Sequence, residues 1–360
     1  MSNPAENLFI ETYGYKPTIL SEAPGRGNLI GEHTDYNLGF VMPFALKQTA
    51  KIALAQNDNQ PMGSLRLISA FDNQLVTANI GQKAQGQWVD YIIGSIRTLA
   101  DDQKIEIPAL DIALDSNVPL GAGVSSSAAL EVSILRALRD LLGLDISDVK
   151  IAQLAQKAEN NYVGMPCGIM DQMASSICPF GDVLLIDTQN LSYEAVKIPQ
   201  GYSIAVVPSG VSHALVDGAY EKLRKECEQA AKLLNVASLR KVDIKDLDKI
   251  NALPDPLNKR ARHIVTENQR VMDMKVALNQ GDMIKAGQII TQGHASERDD
   301  YEITVAETDA LVQDMVKFGA LGARQIGGGF GGSCIALIKT EKLTDWWQKV
   351  QQNHPKAYLI

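Results

Sequence analysis

Three separated stretches carry residue types suited to a single phosphate-transfer site. The first is Gly25-Arg26-Gly27-Asn28-Leu29-Ile30-Gly31-Glu32-His33-Thr34-Asp35-Tyr36-Asn37. The second is Pro119-Leu120-Gly121-Ala122-Gly123-Val124-Ser125-Ser126-Ser127-Ala128-Ala129, and the third is Gly327-Gly328-Gly329-Phe330-Gly331-Gly332. In the second, glycines and serines precede an apolar-periodic helix. Such a turn aims free amide N–H groups and the positive end of a helix dipole at one point, as phosphate requires. Gly121 and Gly123 let backbone approach an anion, and the hydroxyls of Ser125, Ser126 and Ser127 can bond phosphate oxygens or a metal ion. A serine-capped helix start explains this segment alone equally well. The G-x-x-x-x-G-K-[ST] pattern is absent.

The third stretch satisfies G-x-G-x-x-G, but a dinucleotide fingerprint opens a helix. Here Ser333-Cys334-Ile335-Ala336-Leu337-Ile338 follows, which reads as a strand, so a glycine-rich hairpin is the better reading. In the first stretch Glu32, His33 and Asp35 follow the apolar pair Leu29-Ile30. A desolvated sugar needs a donor or acceptor for each hydroxyl, and these side chains supply them. A turn with solvated charges is the alternative. No histidine lies four residues beyond His33, which argues against a metal pair there. Asp171 follows Cys167-Gly168-Ile169-Met170 and needs a partner if buried; Arg26 is the candidate. Asp171 can also cap a helix starting at Gln172.

The elements that position these residues follow from periodicity. Residues 39–56 and 64–80 read as strands, 88–100 as a helix and 112–114 as a strand entering the serine loop. Ser125 to Leu142 reads as a serine-capped helix ended by Gly143, with a second helix from Ser147. Residues 183–186 and 204–207 are strand-like. Helical patterns cover 217–234, 258–279, 282–294 and 304–318, and strand-like segments at 322–326 and 334–339 flank the last glycines. This order predicts an α+β chain of two domains, as does the length of 360 residues.

The apolar fraction is 45% and the net charge −8, with no basic run suited to nucleic acid. The four cysteines have no zinc spacing and read as reduced thiols. Met1 to Tyr15 is polar and lacks the pattern of a secretory signal, and no apolar run approaches the ~18 residues of a membrane span. The expectation is a cytoplasmic protein with neither nucleic-acid nor membrane partners.

Taken jointly, with Cys167-Gly168-Ile169-Met170-Asp171-Gln172 between the second and third, the motifs resemble the GHMP small-molecule kinases. Arg26 to Asn37 is similar to the signature of the galactokinases among them. The likeness covers nearly the whole chain. It implies an N-terminal domain resembling ribosomal protein S5 domain 2 over 1–195, binding ATP and sugar. A ferredoxin-like C-terminal GHMP domain over 196–360 follows, with the active site in the cleft between them. By the same likeness Glu32, His33, Asp35, Gly168 and Asp171 line the galactose site, and Tyr220 contacts the sugar. Trp88 sits beside adenine, and Ser126 or Ser127 with Glu159 binds Mg²⁺. The implied reaction is ATP-dependent phosphorylation of the C1 hydroxyl of α-D-galactose, the first committed step of galactose use; a monomer is expected. Asp171 would accept or orient the acceptor proton, while Arg26 would balance phosphoryl charge.

The segment Pro208-Ser209-Gly210-Val211-Ser212-His213 has Gly210 where many relatives have Asn, and Ala219 stands where Glu is usual. Gly27 replaces a common Val, and Ser333 a frequent Cys. The first two changes bear on sugar preference. Alternatives are a GHMP kinase for another sugar, such as N-acetylgalactosamine, and a non-catalytic sugar and ATP sensor.

Overall fold

The computed structural model describes residues 3–212 and 218–360. His213 and the first two residues of the polar amino terminus lie outside them. In chain order the first half holds α1 (Pro4–Tyr13), β1 (Ile19–Asn28), β2 (Phe40–Val41), β3 (Pro43–Gln56), β4 (Ser64–Ser69), β5 (Val76–Asn79), α2 (Trp88–Gln103), β6 (Leu110–Ser116), α3 (Ser126–Leu142), α4 (Asp148–Ala158) and α5 (Met170–Ile177). The second holds β7 (Asp182–Asp187), β8 (Ser192–Lys197), β9 (Tyr202–Ser212), α6 (Ala219–Leu233), α7 (Leu247–Asn251), α8 (Leu257–Gln280), α9 (Met283–Ser296), α10 (Ala306–Lys317), β10 (Gly322–Ile326), β11 (Gly331–Lys339) and α11 (Leu343–Asn353). Single π-helical turns, Glu159–Val163 and Glu297–Tyr301, extend α4 and α9. The α+β class expected from the sequence is observed.

The chain divides into two compact units, both discontinuous. The first comprises Met1–Arg26, Leu46–Pro119 and Ser125–Ile177; the second Gly27–Ala45, Leu120–Val124 and Cys178–Ile360. The boundaries fall inside β1, inside β3, at both ends of Leu120–Val124 in the serine loop, and between α5 and β7.

In the first unit β3 pairs antiparallel with β6 (Leu54 opposite Ile112), and β6 pairs parallel with β4 (Leu67 opposite Ile112). A parallel pair needs a crossover, and the chain from β5 through α2 supplies it. The sheet's apolar residues Ala53, Ile68 and Ala113 pack on Phe9 of α1. Helix α2 starts with a capping box in which Asp90 accepts from the Gln87 amide at 2.9 Å. Helix α3 ends at Gly143 (φ 62°) and buries Val132, Leu135 and Leu138, as the spacing predicts. The Ser147 hydroxyl caps α4 through the Lys150 amide.

Two local expectations are corrected here. Ser125 has φ 59° and its hydroxyl makes no capping bond, because Asp171 takes it instead. Asp171 is not an N-cap: α5 begins at Met170, so Asp171 lies in its first turn.

In the second unit β2, β7 and β8 form one antiparallel set (Phe40 opposite Asp187, Ile186 opposite Tyr193). A three-stranded antiparallel sheet has the order β10-β11-β9, with Cys334 paired to Gln325 on one side and Val207 on the other. The third glycine stretch is therefore the turn of the β10–β11 hairpin. Helices α10 and α11 cover this sheet around Met315, Ile338 and Trp346. A second cluster joins α6 and α8 through Leu223, Cys227, Ile264 and Tyr301.

Candidate active site

The expected site residues fall into two groups, one in each unit. In the first unit Arg26 lies near the end of β1, and its guanidinium grips Asp171 with two parallel bonds: Nε to Oδ1 at 2.8 Å and Nη2 to Oδ2 at 2.6 Å. This fork is the strong form of an arginine–carboxylate pair. The Arg26 side chain is 6% exposed and that of Asp171 27%, so the arginine is buried while the carboxylate keeps an open side. Ser125 donates its hydroxyl to Asp171 Oδ2. The expected Arg26–Asp171 partnership is thus present, and Ser125 joins it.

Glu159 starts the π-helical turn after α4 and is buried. Its Oε2 accepts from Gln172 Nε2 at 2.6 Å, and the Ser127 hydroxyl also bonds it. Burial first, and then the charge of Asp171, push its carboxyl up to about 7. Glu131, completely buried on α3, faces the same pair; burial and Glu159 hold its carboxyl well above the usual range. Gln172 Nε2 reaches Glu131 as well, at 3.4 Å. Ser126 and Ser127 are half-buried at the start of α3. The Ser127 hydroxyl and the Glu159 carboxyl group, both oxygen donors, suit Mg²⁺, which takes few protein ligands and completes its shell with phosphate and water, while Ser126 is not brought onto Glu159. A carboxylate this short of positive charge gains from a cation. Gly168 is buried just ahead of α5, and Trp88 opens α2 with its indole N–H 3.3 Å from Asp72.

In the second unit Gly31 to Asn37 forms a tight turn. Thr34 donates its hydroxyl to the Gly31 carbonyl at 2.8 Å, and Asn37 Nδ2 donates to the His33 carbonyl at 3.0 Å. Asp35 is half-buried and accepts from the Tyr36 amide. The His33 ring meets the Tyr36 hydroxyl at 2.8 Å, and that hydroxyl meets Tyr301 at 2.7 Å. Tyr220, on the first turn of α6, lies with its ring centre 5.3 Å from those of His33 and Tyr36. His33 and Tyr220 are therefore neighbours. Burial pulls the His33 imidazole down to about 4, so it is neutral at pH 7. The turn is not a solvated loop, since Glu32, His33 and Thr34 are all buried.

The second and third motifs also meet in this unit. The Ser333 hydroxyl donates to the Ala122 carbonyl at 2.6 Å, and Gly327 lies against Gly123. Gly121 and Gly123 are exposed, with φ of 70° and 71°.

Sequence reasoning missed the buried charges behind Glu32: Arg324, Glu267 and Glu297. Arg324 was legible in principle, because a charged residue inside the apolar strand Gly322–Ile326 demands partners. The two glutamates were not, as Glu267 sits in a long helical segment rich in charge and Glu297 opens the charged run that follows α9. Glu131 lies similarly inside the apolar α3.

Comparison with known proteins adds to this geometry. Residues 7–56 match the galactokinase galactose-binding signature. Residues 90–178 match the GHMP kinases N terminal domain, and 274–353 the GHMP kinases C terminal domain. Galactokinase of Streptomyces coelicolor is 44% identical over 341 residues, 92% of this chain and 87% of its own length. Galactokinase of Mannheimia succiniciproducens is 38% identical over 98% of this chain and 93% of its own. The crystal structure of Lactococcus lactis galactokinase complexed with galactose superposes with a TM-score of 0.92 at 29% identity, covering 99% of this chain and 96% of that one. With its signature, both domain matches and full-length relatives in agreement, the chain belongs to the galactokinases of the GHMP kinase family.

Proposed function

We infer that this protein transfers the γ-phosphoryl group of ATP to the anomeric C1 hydroxyl of α-D-galactose, giving galactose 1-phosphate and ADP. The observation that carries this reading is the Arg26–Asp171 fork with Ser125 on the same carboxylate, in a chain that matches the galactose-binding signature. Asp171 accepts the C1 hydroxyl proton or orients that oxygen for in-line attack. Arg26 fixes the carboxylate and offers positive charge to the transferring group. Phosphoryl transfer is loose, so positioning and charge stabilisation outweigh strong base catalysis. The amides of 121–127, those of Ser125 and Ser127 among them, and the Ser126 hydroxyl hold the nucleotide phosphates. Trp88 packs beside adenine. Glu32, His33, Asp35, Gly168 and Tyr220 bind the sugar, with neutral His33 able to accept a hydroxyl proton at one nitrogen.

Glu159 with Ser126 or Ser127 is the place for Mg²⁺, and the oxygen donors there suit it. When bound, Mg²⁺ neutralises charge on the nucleotide phosphates. We further propose a cytoplasmic monomer. The free thiols Cys167, Cys178, Cys227 and Cys334 support a reducing compartment, and no helix among the described residues is long and apolar enough to cross a membrane.

The test is ADP release from Mg-ATP over galactose, N-acetylgalactosamine, glucose, galacturonate and arabinose. Galactose alone should support turnover, and Asp171→Ala should lower kcat by a factor of about 10² to 10⁴ with folding intact. Wild-type turnover by that variant removes Asp171 from the chemistry. Turnover on a different sugar alone overturns the substrate. ATP binding without turnover on any sugar would make this a sensor.

A further inference from the structure

Behind the turn at Glu32 sits a charge cluster completely withdrawn from water. Arg324 of β10 is 0% exposed and meets three carboxyl groups, through Glu32 Oε2, Glu267 Oε1 and Glu297 Oε1, each at 2.7 Å. Arg270 adds a second cation on Glu267 at 2.6 Å. The same groups hold the turn's backbone. Glu267 Oε1 accepts from the Gly31 amide at 2.9 Å, and His263 Nε2 lies 3.2 Å from the Glu32 carbonyl. The Gly31 amide and the Glu32 carbonyl are thus tied to α8, while the Glu32 side chain faces Arg324 of β10. Gly293 of α9 makes room for the guanidinium, because a Cβ there would stand 2.8 Å from Arg324 Nη1.

An arrangement this expensive to desolvate contributes little net stability compared with apolar packing, and it is better suited to fixing a geometry. We propose that Arg324 is a positioning residue for the sugar site: its guanidinium, shared by Glu32, Glu267 and Glu297, fixes the Glu32 carboxyl group from behind and so sets the affinity for galactose. This rests on the assignment of Glu32 to the sugar site. Arg324 itself touches no substrate. Its planar fork matters as well as its charge, since one ammonium cannot face three carboxyl groups with the same geometry.

The experiment measures galactose Kd by calorimetry and both KM values by ADP release, for the full chain and for Gly293→Ala and Arg324→Lys. Alanine favours a helix over glycine, so Gly293→Ala keeps α9 and presses on the guanidinium, while Ile30 Cδ1 at 3.4 Å stays in ordinary contact. Galactose Kd and KM should rise about tenfold in Gly293→Ala, with KM for ATP and kcat within about twofold of wild type. Arg324→Lys should do the same or more. If Arg324→Lys does not fold, Gly293→Ala decides alone. Unchanged galactose affinity in a folded Gly293→Ala protein overturns the proposal, as does an equal rise in both KM values. Wild-type protein that neither binds nor turns over galactose overturns the assignment of function together with this inference. Normal wild-type activity with unaffected variants overturns the inference alone.

Discussion

Asp171 has two partners with separable effects. Arg26 fixes both carboxylate oxygens, whereas Ser125 bonds only Oδ2. Removing the Ser125 hydroxyl leaves the fork in place but loosens the carboxylate about it. Ser125→Ala should lower kcat by about tenfold, the lower end for a hydrogen bond to a charged group, with galactose affinity unchanged. Steady-state kinetics and calorimetry check this, and a wild-type kcat would mean the fork alone orients Asp171. Much of this constellation was legible in the sequence, because an acid beside apolar residues needs a cation and Arg26 lay in a neighbouring motif. The role of Ser125 was not legible. Serine before a helix commonly caps it, and only the left-handed backbone at Ser125 shows the hydroxyl turned elsewhere.

The element that brings two glycine motifs together is the β10–β11 hairpin. Its turn is pinned on one side by Ser333 on the Ala122 carbonyl, and on the other by the Phe330 amide on the Ile303 carbonyl at 2.6 Å. Ser333 therefore has a polar task here. Gly329 has φ 90°, and a Cβ would lie 2.6 Å from that of Ile303. Gly329→Ala meets both strain and overlap and should destabilise the protein by about 1–3 kcal/mol in urea unfolding. A loss below about 0.5 kcal/mol would show that the hairpin yields freely. The hairpin was readable from the strand patterns around the glycines, and α2, α3, α8, α9 and α10 from their apolar spacing. Helix α11 was not recognised, though it buries Trp346 and Val350 along one face. The π-helical turns at Glu159 and Glu297 leave no trace in apolar periodicity, yet each places a buried glutamate.

For the whole molecule, these buried acids and imidazoles shape the response to pH. Burial lifts Glu32 to about 8 and Glu159 to about 7 from an ordinary 4.5. It presses His33 to about 4 and His263 to about 3 from 6.5. The folded protein keeps protons on the two glutamates after the unfolded chain has released them, so their effect is to lower stability as pH rises from 4.5 to 8. The unfolded chain keeps protons on the two histidines that the folded protein has lost, so these raise stability as pH climbs to 6.5. The opposing pairs offset each other between pH 4.5 and 6.5, and above that only the glutamates act. The thermal midpoint of ligand-free protein should therefore fall between pH 6.5 and 8; a midpoint that holds or climbs there contradicts these shifts.

The boundaries inside β1, inside β3 and between Val124 and Ser125 also constrain how such a chain can change. Neither unit is written as one uninterrupted run of codons. No single recombination event could donate one of them to another protein or delete it cleanly, and no truncation at a terminus yields either by itself. The serine loop and the arginine of the first motif each stand where one unit's text gives way to the other's, so the two units are bound to be inherited together.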